Sequence, residues 1–268
     1  MGAVLGFVPQ MLVLFLLLAF LVLPAADMTY DSLPVKVVLF PFREAILSTQ
    51  IDGVVVKYNF RGGERFKKSD VLLKLDDKKY NNDLQRMRSL MKEAELNANY
   101  TRQKWEDNKR LFKEDLQSEI EVIKSELDAK VGAERYQTAQ INYADALLQL
   151  AFCTIRAPFD GTVEKLLTRE FETVRSGQPL ISIIDDNQLL AVMNLPTVEL
   201  PKIKIGIPVT FKVHENGRVV TGSVFEIAGR ADHRSETIEI KVLIDNAEHH
   251  FSAGMSGTLM KVGDGNGK

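Results

Sequence analysis

The chain has 268 residues, of which 45% are hydrophobic and 26% are charged, a balance that supports a packed core and excludes a disordered chain. The formal net charge is -2, so the sequence offers no broad basic field for nucleic acid. Cys153 is the single cysteine, which excludes an intramolecular disulfide and a zinc site built from several thiolates.

The N-terminal segment is apolar. Residues 1–26 carry no charged side chain, and residues 12–23 are an almost unbroken apolar run. Such a segment is typical of a secretory signal or of an uncleaved membrane anchor. No Lys or Arg precedes the run, and the segment is long enough to span a bilayer, so both interpretations stay open. Either one exports the rest of the chain.

Two β-prone stretches flank a long helical one. Residues 35–39 form a short β-prone run that Pro41 is expected to stop, and a β-rich block follows at 46–75. Residues 76–151 contain no proline and one glycine and are rich in Lys, Glu, Gln, Leu and Ala, which is a helical composition. Proline and glycine return after residue 155. The sequence therefore predicts a β domain that is interrupted by a helical insertion.

The helical stretch has apolar positions spaced alternately by three and four residues, which is the period of a coiled-coil seam. A break at 113–115 and an N-cap at Ser118 divide it into two arms of similar length, which predicts an antiparallel hairpin. Two helices packed on a globular core are disfavoured, because the remaining faces are heavily charged. The first predicted seam is Leu84, Met87, Met91, Ala94, Ala98, Thr101, Trp105, Asn108 and Phe112. The second is Ile120, Ile123, Leu127, Lys130, Glu134, Gln137, Ile141, Ala144 and Leu148.

The β blocks on either side of the hairpin are related to each other. When the sequence is shifted by 108 residues, seven identities align residues 52–72 with 160–180. Such an internal repeat predicts two copies of one unit. Neither copy can bury its own apolar face, so we expect them to pack as two halves of a small β-sandwich. The turns of the copies are marked by Gly53, Gly62, Gly63, Gly161 and Gly177.

The C-terminal part contains five more strand candidates with turns between them. Their spacing favours a small antiparallel barrel, to which residues 35–39 add a strand. The candidates are 189–194, 207–213, 219–227, 237–244 and 257–262, with a turn at Gly254. The predicted fold is mainly β with an inserted α-helical hairpin. Its segments are a signal or anchor (1–26), a strand joining the barrel (27–45), the sandwich halves (46–76 and 154–185), the hairpin (77–153), the barrel (186–262) and a polar tail (263–268).

Several short motifs follow one another in a distinctive order along the chain. They are Gly53-x-Val55, Gly62-Gly63-Glu64, Val71-Leu72-x-x-Leu75-Asp76, Ile155-Arg156-Ala157-Pro158-Phe159-Asp160-Gly161-x-Val163, Asn246 and Gly254-Met255. This order resembles the haemolysin-D-like membrane fusion proteins, the periplasmic adaptors of Gram-negative efflux pumps and secretion systems. The resemblance covers residues 35–262, and its most specific part is the stretch 155–163 after a coiled coil. It implies a split lipoyl-like (biotinyl-like) sandwich that is interrupted by an antiparallel coiled coil and followed by a β-barrel.

The resemblance also implies partners. In this family the hairpin tip meets an outer-membrane channel, often through an Arg, a Leu four residues on, and a Ser seven beyond that. Leu111 and Ser118 have this separation, and Asp107 stands where the Arg is expected. The implied role is an adaptor that forms a ring and links this channel to an inner-membrane transporter. The barrel signature favours a resistance-nodulation-division (RND) transporter. The short sequence after the barrel and the anchor interpretation leave an ABC or major-facilitator pump open.

Two competing functions are weighed against the adaptor. Asp77-Lys78 lies where lipoyl carriers bear their cofactor, so a carrier with a covalent lipoyl or biotinyl group is the first alternative. A helix is expected to begin at this lysine, whereas carriers place it on an exposed hairpin tip, so no cofactor is predicted. The second alternative, a purely structural envelope coiled coil, does not explain the internal repeat.

Three further residues are candidates for chemistry. His249 and His250 could suggest a metal site, but adjacent side chains on a strand point to opposite faces, so we expect an ordinary barrel loop. Cys153 follows an apolar run and is expected to pack against the lipoyl-like domain. No nucleophile paired with a base, no carboxylate pair and no phosphate-binding loop stands out in the sequence, and no enzymatic activity is predicted.

Overall fold

A computed structural model of the protein describes residues 34–263. The apolar segment 1–26 and the tail from residue 264 onwards lie outside the described residues. Within residues 34–263, no helix has both the length and the apolar character that a bilayer crossing requires.

The helices are α1 (Lys78–Lys113) and α2 (Glu119–Ala151), with a short 3₁₀ helix at Thr197–Lys202. The strands are β1 (Lys36–Ser48), β2 (Gly53–Tyr58), β3 (Arg65–Phe66), β4 (Val71–Leu75), β5 (Thr154–Arg156), β6 (Gly161–Leu166), β7 (Thr173–Val174), β8 (Pro179–Pro196), β9 (Pro208–Val213), β10 (Val219–Ile227), β11 (Thr237–Asp245) and β12 (Ser256–Val262).

Six antiparallel strands form the predicted barrel. They pair in the order β1, β12, β9, β10, β11 and β8, and pairing of β1 with β8 closes the ring. Alternate residues point inward, because successive side chains on a strand face opposite sides. The inward residues are fully or almost fully buried, among them Leu39, Leu189, Met193, Phe211 and Ile240. The predicted barrel is therefore confirmed, and β1 is one of its strands.

The sandwich is built from the two β blocks that flank the helices. The first part of β8 and the last part of β1 continue out of the barrel and pair with each other, while β6 pairs with β8 and β3 pairs with β6. A second sheet has the order β5, β4, β2 and β7. The two copies of the repeat share one core, in which the following are fully buried: Leu72, Leu73, Val163, Leu180, Ile181 and Ile183.

The repeat is visible in matching hydrogen bonds as well as in matching residues. In the first copy the backbone N–H of Arg61 donates to the carboxylate of Glu64 at 2.8 Å. In the second copy the N–H of Arg169 donates to Glu172 at 3.0 Å. Because each pair lies 108 residues from the other, the same turn is built twice by the same side chains.

Equivalent turns in the two copies also share an unusual backbone conformation. Gly63 has φ +83°, and its equivalent Phe171 has φ +68°. Ser69 has φ +72°, and its equivalent Gly177 has φ +86°. Glycine enters this left-handed region freely, whereas a residue with a Cβ enters it at a cost. Each pair therefore contains one unstrained and one strained member.

The other glycines that the sequence marks lie at strand ends and turns. Gly53 opens β2, Gly62 precedes Gly63 in its turn, and Gly254 has φ +93° before β12. Gly161 is the first residue of β6 and packs tightly against β8, because a Cβ there would lie 2.1 Å from the carbonyl oxygen of Ile184. A side chain at 161 would therefore force β6 away from β8.

The expectation that Pro41 ends the first strand is wrong. β1 continues to Ser48, because it pairs with β8 on both sides of the proline, and a register shift between Pro41 and Arg43 accommodates the residue that lacks an N–H. β1 and β8 consequently run through both the barrel and the sandwich. The predicted boundaries at 45/46 and 185/186 fall inside these two strands.

The two helices form the antiparallel pair, and the first predicted seam agrees with the burial of α1. Its members from Leu84 to Asn108 are buried or half-buried, but the last one, Phe112, is exposed. Leu111 is half-buried instead. The seam therefore shifts by one position as α1 approaches the tip.

The predicted seam of the second arm is wrong. Its larger apolar members are exposed, Ile120 at 79%. The side of α2 that is buried is made mainly of small residues, which allow a close approach of the helices. A Cβ on Gly132 would lie 2.5 Å from the hydroxyl oxygen of Thr101 and 3.3 Å from the Cα of Ala98. Apart from the half-buried Glu121 and Glu126, the buried and half-buried positions of α2 are Val122, Ser125, Ala129, Gly132, Tyr136, Ala139, Tyr143, Ala146 and Leu150.

Candidate functional site

The tip of the hairpin is an ordered turn that closes the end of α1. Asp115 adopts the left-handed conformation with φ +58°. The N–H of Leu116 donates to the carbonyl of Leu111 at 2.9 Å, and the N–H of Asp115 donates to that of Phe112 at 3.1 Å. This pair of bonds is the Schellman motif, which satisfies carbonyls that a helix end leaves without partners. The tip therefore has a defined shape that a partner can recognise.

Ser118 begins the second helix, as the sequence predicts. It has extended backbone angles, and its hydroxyl oxygen accepts a long hydrogen bond of 3.4 Å from the N–H of Glu121. Glu119 and Glu121 lie in the first turn of α2, where negative charge complements the helix dipole. The structural role of Ser118 as an N-cap is confirmed, and its side chain remains exposed at the tip.

Asp107 lies one turn before Leu111 on α1 and pairs with a neighbour. Its carboxylate is 3.0 Å from the guanidinium of Arg110, and both side chains are largely exposed. A guanidinium is thus present three residues after the position where the family resemblance expects an Arg. Sequence reasoning missed Arg110 because it considered only position 107. The i, i+3 spacing of an acid and a base would have indicated the pair.

Two amide side chains tie the turn to the seam. Asn108 is buried between the helices, and its side-chain oxygen accepts from the amide nitrogen of Gln117 at 3.4 Å. The amide nitrogen of Asn108 has no hydrogen-bond partner within the described part of the chain. A buried polar residue in a helix seam favours one register, because other registers leave it unpaired. Gln117 was not identified from the sequence.

A row of apolar side chains runs along α2 away from the tip, on the side opposite α1. We call this row, Ile120, Ile123, Leu127 and Val131, the outer stripe. All four side chains are exposed, and their spacings of three and four residues place them on one face of the helix. The sequence singled out three of them but assigned them to the seam. Grouped exposed apolar side chains mark interaction surfaces more often than scattered ones do.

The α1 side of the hairpin near the tip is different. Its outward side chains form exposed ion pairs, between Arg102 and Glu106 and between Asp107 and Arg110. The hairpin therefore presents an apolar face on α2 and a charged face on α1. A partner that contacts both faces needs apolar side chains on one side and charged or polar ones on the other.

Lys78 does not occupy a carrier position. It is the first residue of α1, and its backbone N–H donates to the side chain of Asp76 at 3.0 Å. In a carrier, the modified lysine lies at the tip of a short hairpin, where an enzyme and a swinging arm can reach it. Here the next residues continue into a long helix.

The adjacent histidines lie in the loop between β11 and β12 and face different partners. Nδ1 of His249 is 3.8 Å from the carboxylate of Asp186, and its Nε2 contacts the guanidinium of Arg65. Nε2 of His250 is 2.7 Å from the carboxylate of Glu248. Among residues 34–263, no group of three or more His, Cys, Asp or Glu side chains is placed to hold a metal ion.

Cys153 lies in the sandwich core, as the sequence predicts, and is 2% exposed. Burial, together with the nearby carboxylates of Asp77 and Asp76, raises the pKa of the thiol to about 11. Since the thiolate is the nucleophilic form of cysteine, this side chain is unreactive at neutral pH. Its role is packing.

Comparison with known proteins matches this architecture. A family model described as "RND MFP, barrel-sandwich hybrid domain" matches residues 43–186. The nodulation protein NolF of Rhizobium meliloti (strain 1021) is 22% identical over 218 residues, which are 81% of this chain and 59% of NolF. The multidrug resistance protein MdtN of Escherichia coli (strain K12) is 31% identical over 81 residues, which are 30% of this chain and 24% of MdtN.

A solved structure has the same fold over most of the chain. The crystal structure of MacA from Actinobacillus actinomycetemcomitans superimposes with a TM-score of 0.71 at 17% identity and covers 87% of this chain and 79% of MacA. At this identity the likeness concerns the fold. The present chain spans about three fifths of the length of NolF.

Proposed function

We propose, from the premise that the chain belongs to the RND membrane fusion protein family, that it is a periplasmic adaptor of an efflux system. In this role it links an inner-membrane transporter to an outer-membrane channel and supplies binding and coupling, while the transporter supplies the energy. An RND transporter is the proposed inner-membrane partner, because the matching family model is of the RND type. The apolar N-terminus associates the protein with the inner membrane, and several copies form a ring.

The observation that carries this proposal is the hairpin with its ordered tip. At 1.5 Å per residue, helices of 36 and 33 residues extend roughly 50 Å. Beyond its base, α1 contributes few buried side chains, and its partner in the described structure is α2. A projection of this length, with an apolar stripe beside its end, is suited to reaching a partner. The name of MdtN, a multidrug resistance protein, supports small molecules as the transported class.

We further propose that Leu111 and Ser118 contact the outer-membrane channel and that the outer stripe extends this contact. Leu111 offers an apolar surface, and Ser118 offers a hydroxyl at the exposed start of α2. A charge introduced at either position would lose its hydration on docking, which costs several kcal/mol when the charge has no partner. Substitutions here should therefore abolish transport without unfolding the protein.

The test uses Leu111→Asp and Ser118→Arg in cells that carry the whole efflux system. We expect each to lower tip-to-channel crosslinking and efflux at least tenfold, while the protein stays folded and keeps its crosslinking to the transporter. Lys92→Glu is the matched control, because Lys92 is an exposed residue of α1 far from the tip. Normal crosslinking and efflux in Leu111→Asp would show that the tip does not dock as proposed.

Asp107 provides a finer test of which channel is recognised. Its replacement by Arg restores the residue that the family resemblance expects and breaks the pair with Arg110. If the channel presents a basic rim to this carboxylate, Asp107→Arg should weaken crosslinking, whereas Asp107→Asn should weaken it less. Stronger crosslinking of Asp107→Arg would instead indicate an acidic rim.

A further inference from the structure

One end of the barrel, which we call the distal end, points away from the sandwich. It comprises residues 36, 196–208, 228–236 and 262–263. The strand registers bring these segments together, since Pro196 pairs with Thr237 and Val262 pairs with Val209. The sandwich grows from the opposite ends of β1 and β8. The distal end is therefore also where the chain enters the barrel, at Lys36.

A hydrogen-bonded turn exposes the side chain of Ile205 to solvent at the distal end. The N–H of Ile207 donates to the carbonyl of Lys204 at 3.2 Å, and Gly206 has φ +87°, which is the pattern of a type II turn with Ile205 at its second position. Ile203 and Ile207, on either side, are buried, whereas Ile205 is 73% exposed. The fold thus orients a large aliphatic side chain outward from a turn, a place where Gly, Pro, Asn, Asp and Ser dominate.

Val198 is a second exposed aliphatic side chain at the distal end. It lies in the first turn of the 3₁₀ helix and is 76% exposed. Val198 and Ile205 are the most exposed large aliphatic side chains of the described barrel. The barrel core does not need them, because Ile203 and Ile207 already fill its end.

The charges around these two side chains have a small basic excess. Within the distal end five basic side chains accompany three acidic ones, although the whole chain has a net charge of -2. Lys202 pairs with Glu199 at 3.1 Å, and the other charged residues are the basic Lys36, Lys204, Arg230 and Arg234 and the acidic Asp232 and Glu236. Exposed aliphatic side chains among basic ones are the combination that binds the interface of a membrane with anionic lipids.

The place of the apolar N-terminal segment in the sequence is compatible with such a surface. Residues 27–35 separate the uncharged segment 1–26 from β1. Nine residues span at most about 30 Å when fully extended. If a membrane holds the segment 1–26, Lys36 at the distal end therefore lies within about 30 Å of that membrane.

We propose that the distal end of the barrel binds directly to the surface of an anionic lipid bilayer, with Ile205 and Val198 inserted between headgroups and the basic side chains facing lipid phosphates. The proposal rests on the proposed attachment of the N-terminus to the inner membrane. It adds a second contact, which fixes the barrel on the membrane and sets the direction of the hairpin.

The test attaches an environment-sensitive fluorophore to the full chain at Ile205→Cys or Val198→Cys. The buried Cys153, with its pKa raised to about 11, stays unlabelled at neutral pH. The labelled protein is reconstituted into vesicles of phosphatidylcholine with or without one third phosphatidylglycerol. We expect a blue shift and quenching by a lipid-borne quencher at both positions with phosphatidylglycerol. Val219→Cys is the control, because Val219 is exposed but pairs with Lys212 toward the opposite end of the barrel.

The outcomes separate this inference from the proposed function. Lys204→Glu combined with Lys36→Glu should reduce the response at position 205 at least threefold. A response at 205 equal to that at 219, or equal in both kinds of vesicle, would overturn the proposal, and so would a response that appears only when a transporter is added. If the full chain failed to sediment with either vesicle, the proposed N-terminal attachment would fail instead.

Discussion

The β domains and the hairpin are held together by different kinds of side chain. The barrel and sandwich bury large aliphatic residues completely, such as Leu72, Leu180 and Ile240. The buried residues of α2 are Ser125, Ala129, Gly132 and Ala146, all of them small. Since the free energy of burial scales with apolar area, the β domains gain far more from their cores than the hairpin gains from its seam. In α2, the large aliphatic side chains of Ile120, Ile123 and Leu127 are exposed, where a partner can bind them.

Ion pairs along the helices do not compensate for this difference. Pairs such as Lys92–Glu95 and Glu126–Lys130 link residues three or four positions apart and are mostly exposed. Exposed pairs of this kind contribute little to stability, because water and salt screen the charges and fixing two long side chains costs entropy. The stability of the hairpin therefore depends on close contact between the helices and on the sandwich that joins their bases.

The largest expected effect comes from the sandwich core. Leu73→Ala removes a fully buried side chain from the core that both halves share, and such truncations cost about 2–5 kcal/mol. We expect the free energy of unfolding in urea to fall by this amount. Amide exchange should accelerate in the sandwich and also in the hairpin, because the sandwich holds the ends of α1 and α2. Leu116→Ala, at an exposed position of the tip, is the control and should cost under about 0.5 kcal/mol.

A smaller and more local effect is expected from the seam. Gly132→Val places methyl groups where Thr101 and Ala98 already lie, and overpacking of this kind costs about 1–3 kcal/mol. Protease cleavage and amide exchange should increase within residues 78–151, while the β domains keep their protection. The fluorescence of Trp105, the only tryptophan of the chain, reports the change directly.

Ala133→Val is the matched control for this substitution. Ala133 is the exposed neighbour of Gly132, so the control places the same valine side chain at an exposed position of the same helix. It should leave cleavage of the hairpin unchanged. If protease cleaved the hairpin equally in Gly132→Val and Ala133→Val, the close approach of α1 and α2 at Gly132 would not contribute to the stability of the hairpin.

The contrast between the two regions also explains which parts of the fold could be predicted. The repeat was identifiable because glycines and buried aliphatic residues occupy the same positions in both copies. The second arm was mispredicted because a seam of Ala, Gly and Ser has little hydrophobic signal, while Ile120 and Leu127 have a strong one. Hydrophobic periodicity locates large apolar side chains, whether they face a helix of the same chain or a partner.

Prediction of the tip was limited for a different reason. Ser118 was identifiable as an N-cap, because the chemistry of a cap is local. The bond between Gln117 and Asn108 depends on how the turn folds back, and the pair of Asp107 and Arg110 depends on which rotamers the side chains adopt. The passage of β1 through Pro41 was likewise decided by pairing with β8, which lies about 140 residues away along the sequence.

A modest effect is expected from the cap of α2. Ser118→Ala removes the acceptor for the N–H of Glu121 and should cost at most about 1 kcal/mol, because the bond is long. Amide exchange should rise over residues 119–122 and stay constant in the β domains. Ser89→Ala is the control, since Ser89 lies inside α1, where alanine is the better helix former. Faster exchange throughout the hairpin would show that the cap supports more than the first turn.

The smallest effect should have the opposite sign and be confined to the sandwich. Phe171 adopts φ +68° while its side chain is 78% exposed, so it carries backbone strain and gains little from burial. A left-handed conformation costs a residue with a Cβ about 1–2 kcal/mol, and glycine gives back roughly half of this through its greater freedom in the unfolded chain. Phe171→Gly should therefore stabilise the sandwich by up to about 1 kcal/mol.

Ser69→Gly should also stabilise the sandwich, whereas Gly63→Ala, in the turn of the first copy that is equivalent to the turn at Phe171, should destabilise it. Urea unfolding measures all three, and amide exchange of the hairpin should not change. A loss of stability in Phe171→Gly would mean that the phenylalanine packs on the sandwich surface more strongly than its exposure indicates.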